Sequence, residues 1–388
     1  MIATIIMILA QGTPAPQIIE YPNANQSAIA IEAIVQLPKL NPSQRYVLSQ
    51  AMNIAVQMTP EYGNRDVLRI LQTGTRFQLY QAADHIRIGL TVEKDDLSAG
   101  LSLLRSILVE PTFLPDTIKI QKSNLSDPWM RAYSGFNLHE VPLDRENMVA
   151  LWQGVMKPQN ISVGVSGPFV DMAPTEKWKA MQNSWMQRPL NDLPLAFPPK
   201  FAETSNKPPL LVFDSKPIKL DQSKLASYLL AANVLGVGKD SLQWLIAREE
   251  MGISYRQESF LIPTDEGWKF RMAYGTDEEG TKPEIITTLR QKLKERCNAL
   301  TQSDLDHAVG LGRGYLMNQM PTLPIVIGIG DVLSNNANDR LYLRHYWKTK
   351  FGFEWNASSI FATMQQVELG NLKKLLNQIL DESDVRIY

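Results

Sequence analysis

The chain has 388 residues, 44% of them hydrophobic and 20% charged, which describes a folded protein too long for one ordinary core rather than a disordered one. Its 39 basic and 40 acidic residues leave a net charge of -1, with no dense Lys/Arg cluster to recruit nucleic acid. Cys297 is the sole cysteine, so an intrachain disulfide and a thiolate metal cluster are both excluded.

The N-terminus, MIATIIMILAQGTPAPQ, places an apolar run at 2–10 before a polar, Pro-rich stretch. The run is too short for a membrane-spanning helix. It reads as the apolar region of a signal peptide, with Ala10 at the cleavage position and residues 1–15 as a leader or N-terminal extension. That reading places the protein in the periplasm or outside the cell. No Lys or Arg precedes the run, so an N-terminal strand in a cytoplasmic protein stays open as the alternative. No later segment reads as an integral membrane span, because LPIVIGIGDVL at 323–333 is short and broken by glycine.

SAIAIEAIV at 27–35 alternates as a half-buried strand does. NPSQRYVLSQAMNIAVQM follows as a helix, with Pro42 in its first turn and Val47, Met52, Ile54, Ala55 and Met58 on the buried face. A shorter helix, DVLRILQTG, stops at Gly74. HIRIGLTVE at 85–93 is apolar at every second place, hence a strand. DDLSAGLSLLRSIL then offers an Asp cap and a stripe of Leu97, Leu101, Leu104 and Leu108.

The later part of the chain repeats this order. SKLASYLLAANVL at 223–235 and KDSLQWLIAREEMG read as helices. GWKFRMAYG at 267–275 alternates Trp268, Phe270, Met272 and Tyr274, and KPEIITTLRQKLKERCNAL supplies a long helix striped by Ile286, Leu289 and Leu293. The recurrence implies an internal duplication. The junction is the proline-rich 188–209 stretch. The expected organisation is therefore α+β: two duplicated domains, 16–190 and 210–388, joined by a linker at 191–209. Each is an antiparallel-rich sheet covered by helices on one face.

NVLGVGKDSLQWLIAREEMGISYRQES at 233–259 resembles the C-terminal half of insulinase-like metallopeptidases, the group that includes pitrilysin and the mitochondrial processing peptidase. ALTQSDLDHA at 299–308 is similar to that family's segment after the long helix. DDLSAGLSLLRSILVEPTFLPDTI and GVMKPQNISVGVSGPF (154–169) are similar to its N-terminal motifs. The resemblance runs from about residue 28 to near the C-terminus and implies the insulinase-like peptidase fold, with units that pair into a clam-like chamber.

Catalysis in that family needs His-x-x-Glu-His on the first helix, where two histidines at i and i+4 bind zinc and the Glu serves as base. The matching positions here are Val47, Gln50 and Ala51, or Leu48, Ala51 and Met52, none of them a histidine or a carboxylate. The four histidines, His85, His139, His307 and His345, include no pair at helical-turn spacing, so such a site cannot form anywhere in this chain. No catalytic or metal-ligating residue is assigned, and no cofactor is expected on this chain. Asp127 lies near the place of the family's downstream acidic ligand but reads as a capping or surface residue. His85 beside Asp84 reads as a surface pair, His139 as a loop residue, and His307 and His345 as residues of charged helices. GLGRGY at 310–315 reads as a break between helical segments.

What remains is Arg248 and Tyr255, seven residues apart around Gly252. Gly252 suits a left-handed helix C-cap, which places Arg248 in the last helical turn and Tyr255 near the start of a strand. The resemblance implies that an Arg and a Tyr at this spacing face the zinc site across the chamber and bind substrate backbone, as donors toward a developing oxyanion. The residues also allow a plainer role, with Arg248 capping helix carbonyls and Tyr255 half-buried in the strand. The expected function is thus a non-catalytic subunit of a two-chain zinc peptidase, with zinc and base on a related partner chain in a heterodimer. The alternatives are self-association and a peptide-binding or structural scaffold without a catalytic role.

Overall fold

A computed structural model describes residues 16–71, 77–120, 129, 138–169, 172–186, 208–317, 322–328, 331–334 and 337–388. The leader-like residues 1–15, Gly74, Asp127 and most of the linker, 191–207, lie outside the described residues.

The N-terminal half runs β1 (Gln17–Pro22), β2 (Ile29–Gln36), α1 (Pro42–Ala55), α2 (Asn64–Ile70), β3 (Gln78–Gln81), β4 (His85–Val92), α3 (Leu97–Val109), α4 (Pro115–Ile120), α5 (Arg145–Val155), β5 (Ile161–Gly167) and α6 (Pro174–Met186). The C-terminal half begins with β6 (Leu210–Asp214), α7 (Gln222–Gly236), a π-helical segment (Trp244–Glu250), β7 (Arg256–Thr264) and β8 (Gly267–Gly275). It continues with α8 (Pro283–Ala299), α9 (Gln302–Leu316), β9 (Thr322–Gly328), β10 (Asp331–Ser334), α10 (Ala337–Phe351), α11 (Ala357–Met364), α12 (Leu369–Glu382) and β11 (Asp384–Ile387).

The strands form two sheets, ordered β1-β5-β2-β4-β3 and β10-β9-β7-β8-β6-β11. Among the described residues β1–β5 and β7–β9 pair in parallel and the other ladders are antiparallel. The architecture is α+β, two sheets covered by helices. Helix α1 starts where expected: Asn41 and Gln44 close a reciprocal capping box, and Pro42 fills a position whose N–H would have no partner. Asp96, by contrast, makes no capping hydrogen bond, because a short 3-10 turn at Lys94–Asp96 leads into α3.

One face of β2 places Ile29, Ile31, Ala33 and Val35 in a core with α1, α3 and α5. The other face is buried too. Ala30 packs on Leu341 of α10, and Ile34 joins the core of the C-terminal half. The expectation of sheets covered on one face is corrected here: α10 crosses from the C-terminal half and lies against β2, β4 and β5. β4 is consequently buried at all eight positions, although its alternation predicts exposure of every second residue.

That second contact is polar. Arg87 on β4 donates through Nε to Glu32 Oε1 on β2 (2.7 Å) and through Nη1 to Asp339 Oδ1 on α10 (2.6 Å). His85 is fully buried, bonded through Nδ1 to Asp84 at 2.7 Å and through Nε2 to the Tyr342 hydroxyl at 2.8 Å. It is no surface residue, and the reason is a helix more than 250 positions further along the chain. His345 is also buried, its Nε2 3.0 Å from Ser162 Oγ on β5. GLGRGY does not break a helix: α9 runs through it, and Gly312 lets Met364 of α11 approach so closely that a Cβ would lie 2.8 Å from its sulfur.

Candidate functional site

The site is the corner between the π-helical segment and β7. α7 ends at Gly236, and the chain turns through Gly238 and Ser241, whose Oγ donates to the Gly238 carbonyl at 2.8 Å. Ile246 and Ala247 anchor the next segment in the core. From its outer side, Glu250 accepts hydrogen bonds from Lys292 (3.1 Å) and Arg296 (2.6 Å) on α8. These bonds hold the Glu250 carboxyl below its ordinary range.

The predicted helix is present but wider than an α-helix. Met251 N–H donates to Ile246 O at 2.9 Å, one residue further back than an α-helical bond reaches. Gly252 follows at φ 64, the left-handed conformation that the C-cap requires. Ile253 and Ser254 then return their N–H groups to the Ala247 carbonyl at 2.8 and 3.3 Å, and β7 begins at Arg256.

This corner brings the two predicted residues together. The Arg248 Cζ lies 5.4 Å from the centroid of the Tyr255 ring. Tyr255 is 80% exposed, which excludes the half-buried strand role, and it directly precedes the strand rather than sitting in it. The guanidinium also lies over the Trp244 ring, with Cζ 4.0 Å from its centroid. Lys239 Nζ lies 5.7 Å from the same indole. The Arg248 side chain is 35% exposed, and Glu249 Oε1 is 3.9 Å from its Nε. That oxygen accepts the Trp244 Nε1–H at 3.1 Å. Chemically, the corner offers a partly exposed cation near two aromatic rings.

Trp244 and Glu249 were not singled out by sequence reasoning. The legible signal for Trp244 was an aromatic and a cation at i and i+4 on one helix face. Beside the corner lies a groove of about 410 Å³ lined by Val237, Asp240, Leu242, Leu245, Arg296 and His307 among others, without Arg248 or Tyr255.

The zinc positions do not fit a metal. Val47, Leu48, Gln50, Ala51 and Met52 all lie buried in α1, and among them they offer an amide but no imidazole or carboxylate. His307 on α9 is exposed, 3.9 Å from Asp240, and the His139 N–H donates to the Pro42 carbonyl at 3.1 Å. Among the described residues no three His, Cys, Asp or Glu side chains converge. No helix among them is long and apolar enough to cross a membrane.

The fold is similar to that of a peptidase M16 inactive domain over nearly its whole length. No sequence-family model and no curated protein matches the chain. Among solved structures, an M16 inactive domain from Pseudomonas fluorescens aligns with TM-score 0.68 and 14% identity, covering 96% of this chain and 95% of that one. A protease from Helicobacter pylori aligns with TM-score 0.66 and 13% identity over 97% of both chains. A conserved protein from Enterococcus faecalis V583 aligns with TM-score 0.59 and 11% identity over 95% of both. At such identities the likeness concerns the fold.

Proposed function

We propose that this chain is a non-catalytic subunit of a two-chain insulinase-like peptidase. It forms half of a substrate chamber and presents Arg248 and Tyr255 to the backbone of an extended peptide. Zinc and the general base belong to a related partner chain. The observation that carries this reading is the corner itself: a half-buried guanidinium and an exposed phenol meet at a helix end, in a chain whose first helix has no metal ligand.

The two-domain duplication belongs to the same proposal. Within the sheets, β5-β2-β4-β3 and β11-β6-β8-β7 share one strand order and one antiparallel pattern. Each also buries an acid–arginine pair across neighbouring strands, Glu32–Arg87 in one and Asp214–Arg271 in the other. Export, with residues 1–15 as leader, is part of the same reading and would give the pair access to peptides outside the cytoplasm.

A scaffold role is the second reading. It is favoured by the seat of Arg248 on Trp244, a contact that also serves packing. The experiment that separates the two pairs this chain with an insulinase-like chain carrying an intact His-x-x-Glu-His and follows cleavage of an unfolded peptide. The pair should turn over faster than the partner alone. Arg248→Ala in the pair should lower turnover by roughly 100-fold, the usual effect of losing one oxyanion donor, and Tyr255→Phe by a smaller factor. Equal turnover with and without this chain rejects the complementing role. Unchanged turnover in both variants rejects the assignment of the two residues.

A further inference from the structure

We infer that Trp244 is the positioning residue of the Arg248 corner, and that its indole N–H keeps Glu249 from neutralising the guanidinium. The inference rests on the reading of Arg248 as a donor to an incoming carbonyl or carboxylate. It adds what keeps that donor available.

Arg248 and Glu249 are sequence neighbours, which a helical backbone directs to different sides, so only their long side chains can bring the charged ends together. The ends stand near each other without a hydrogen bond. The Glu249 oxygen nearest to Arg248 stops at 3.9 Å from Nε, beyond hydrogen-bond distance. That same Oε1 accepts the Trp244 Nε1–H at 3.1 Å. The face of the same indole carries the guanidinium at 4.0 Å, and Tyr255 lies 5.4 Å from the guanidinium carbon. Trp244 therefore does two separable things. Its ring seats the guanidinium, which reduces side-chain freedom before any ligand arrives. Its N–H holds Oε1 of Glu249, the carboxylate beside Arg248 among the described residues, which would otherwise compete with a ligand for the Arg248 donors. A phenylalanine at this position would keep the ring and lose the restraint on Glu249.

The test uses the isolated full chain, labelled with 15N, and acetate as the carboxylate probe at constant ionic strength. The Arg248 side-chain Nε–H resonance is assigned by its loss in Arg248→Lys. Acetate should shift that resonance saturably. In Trp244→Phe the acetate affinity should fall by roughly 2- to 5-fold, the strength of an exposed ion pair that Glu249 becomes free to make. In Trp244→Phe/Glu249→Gln it should return to the value of Glu249→Gln alone, because no carboxylate is left to restrain. Glu249→Gln by itself leaves the ring untouched and should move the Trp244 indole N–H resonance.

Equal acetate affinity in the wild type and Trp244→Phe overturns the inference while leaving Arg248 as an available donor. An indole resonance that does not move in Glu249→Gln also overturns it, because the bond is then not made in solution. If acetate shifts Arg248 in none of the proteins, Arg248 is not an accessible donor, and the underlying reading of the corner fails as well.

Discussion

Tyr342 and His85 stand 257 residues apart in the chain and share a buried hydrogen bond of 2.8 Å. The bond ties α10 of the C-terminal half to β4 of the N-terminal sheet, and the two rings stack at 5.7 Å. The Tyr346 hydroxyl donates to Asp84 at 3.0 Å on the same seam, and Lys350 pairs with Asp84 at 2.8 Å. Burial alone would raise the Asp84 carboxyl, but the His85 and Lys350 partners outweigh it and hold Asp84 well below the usual carboxylate range. Tyr342→Phe leaves His85 Nε2 buried without its partner. The expected loss is about 1–3 kcal/mol, read as a lowered denaturation midpoint in urea with an unchanged slope.

The same seam holds two carboxylates around one guanidinium. With Glu32 and Asp339 both ionised against Arg87, the fully buried cluster carries excess negative charge. Burial therefore raises Glu32 from 4.5 to about 7, more than the attraction of Arg87 lowers it. The folded chain holds a proton there that the unfolded chain has released. The stabilising contribution is complete below pH 4.5 and is lost as pH rises through 7. Glu32→Gln removes this dependence. Its melting temperature, relative to the wild type, should rise between pH 5 and pH 8. Parallel pH profiles for the two proteins would show that Glu32 titrates normally.

His345 titrates with the opposite sign. Burial lowers it from 6.5 to about 4, despite its contact with Ser162. The imidazole ring lies against Gly164, where a Cβ would stand 2.9 Å from Cγ, so no room exists for a hydrating shell. Between 6.5 and 4 the unfolded chain binds the proton and the folded chain does not. Stability is thus present above 6.5 and lost as pH falls toward 4. His345→Gln should show a shallower fall in melting temperature between pH 7 and pH 4.5. An equally steep fall in the variant would assign the acid sensitivity elsewhere.

The contrast between these residues and the Arg248 corner shows what a sequence makes legible. A helix end, a glycine and a strand start lie within one short window, so the meeting of Arg248 and Tyr255 follows from local geometry, and Gly252 adopts the expected positive φ. The alternation of β2 and β4 equally fixes them as strands. Alternation cannot say what covers the second face. That depends on α10, whose contacts join residues hundreds of positions apart, so His85 reads locally as a surface partner of Asp84 and proves to be core. The π-helical widening was not legible either. It adds no residue type to the segment and shows itself in backbone hydrogen bonds such as Met251–Ile246. GLGRGY misleads for a packing reason: Gly312 answers the approach of α11, not a turn.

Two glycines in helices test that packing reading from opposite sides. A Cβ on Gly236, at the end of α7, would collide with the Ser259 backbone nitrogen and stand 2.7 Å from Gln243 Oε1. The strand β7 cannot retreat, because β8 and β9 hold it on both sides. Gly236→Ala must therefore push α7 away from the sheet, at a cost of about 1–3 kcal/mol for overpacking. Gln243 is the residue before Trp244, so the displacement passes into the segment that carries Arg248, and the Arg248 side-chain resonance should shift along with the lowered melting temperature. Gly310, exposed in α9, meets nothing within 4 Å. There the alanine only supplies helix propensity, and Gly310→Ala should stabilise by roughly 0.5–1 kcal/mol. If both substitutions destabilise, Gly310 has a constraint beyond helix propensity. If both stabilise, the close approach of α7 to β7 is not rigid, and Gly236 is not what sets the distance between them.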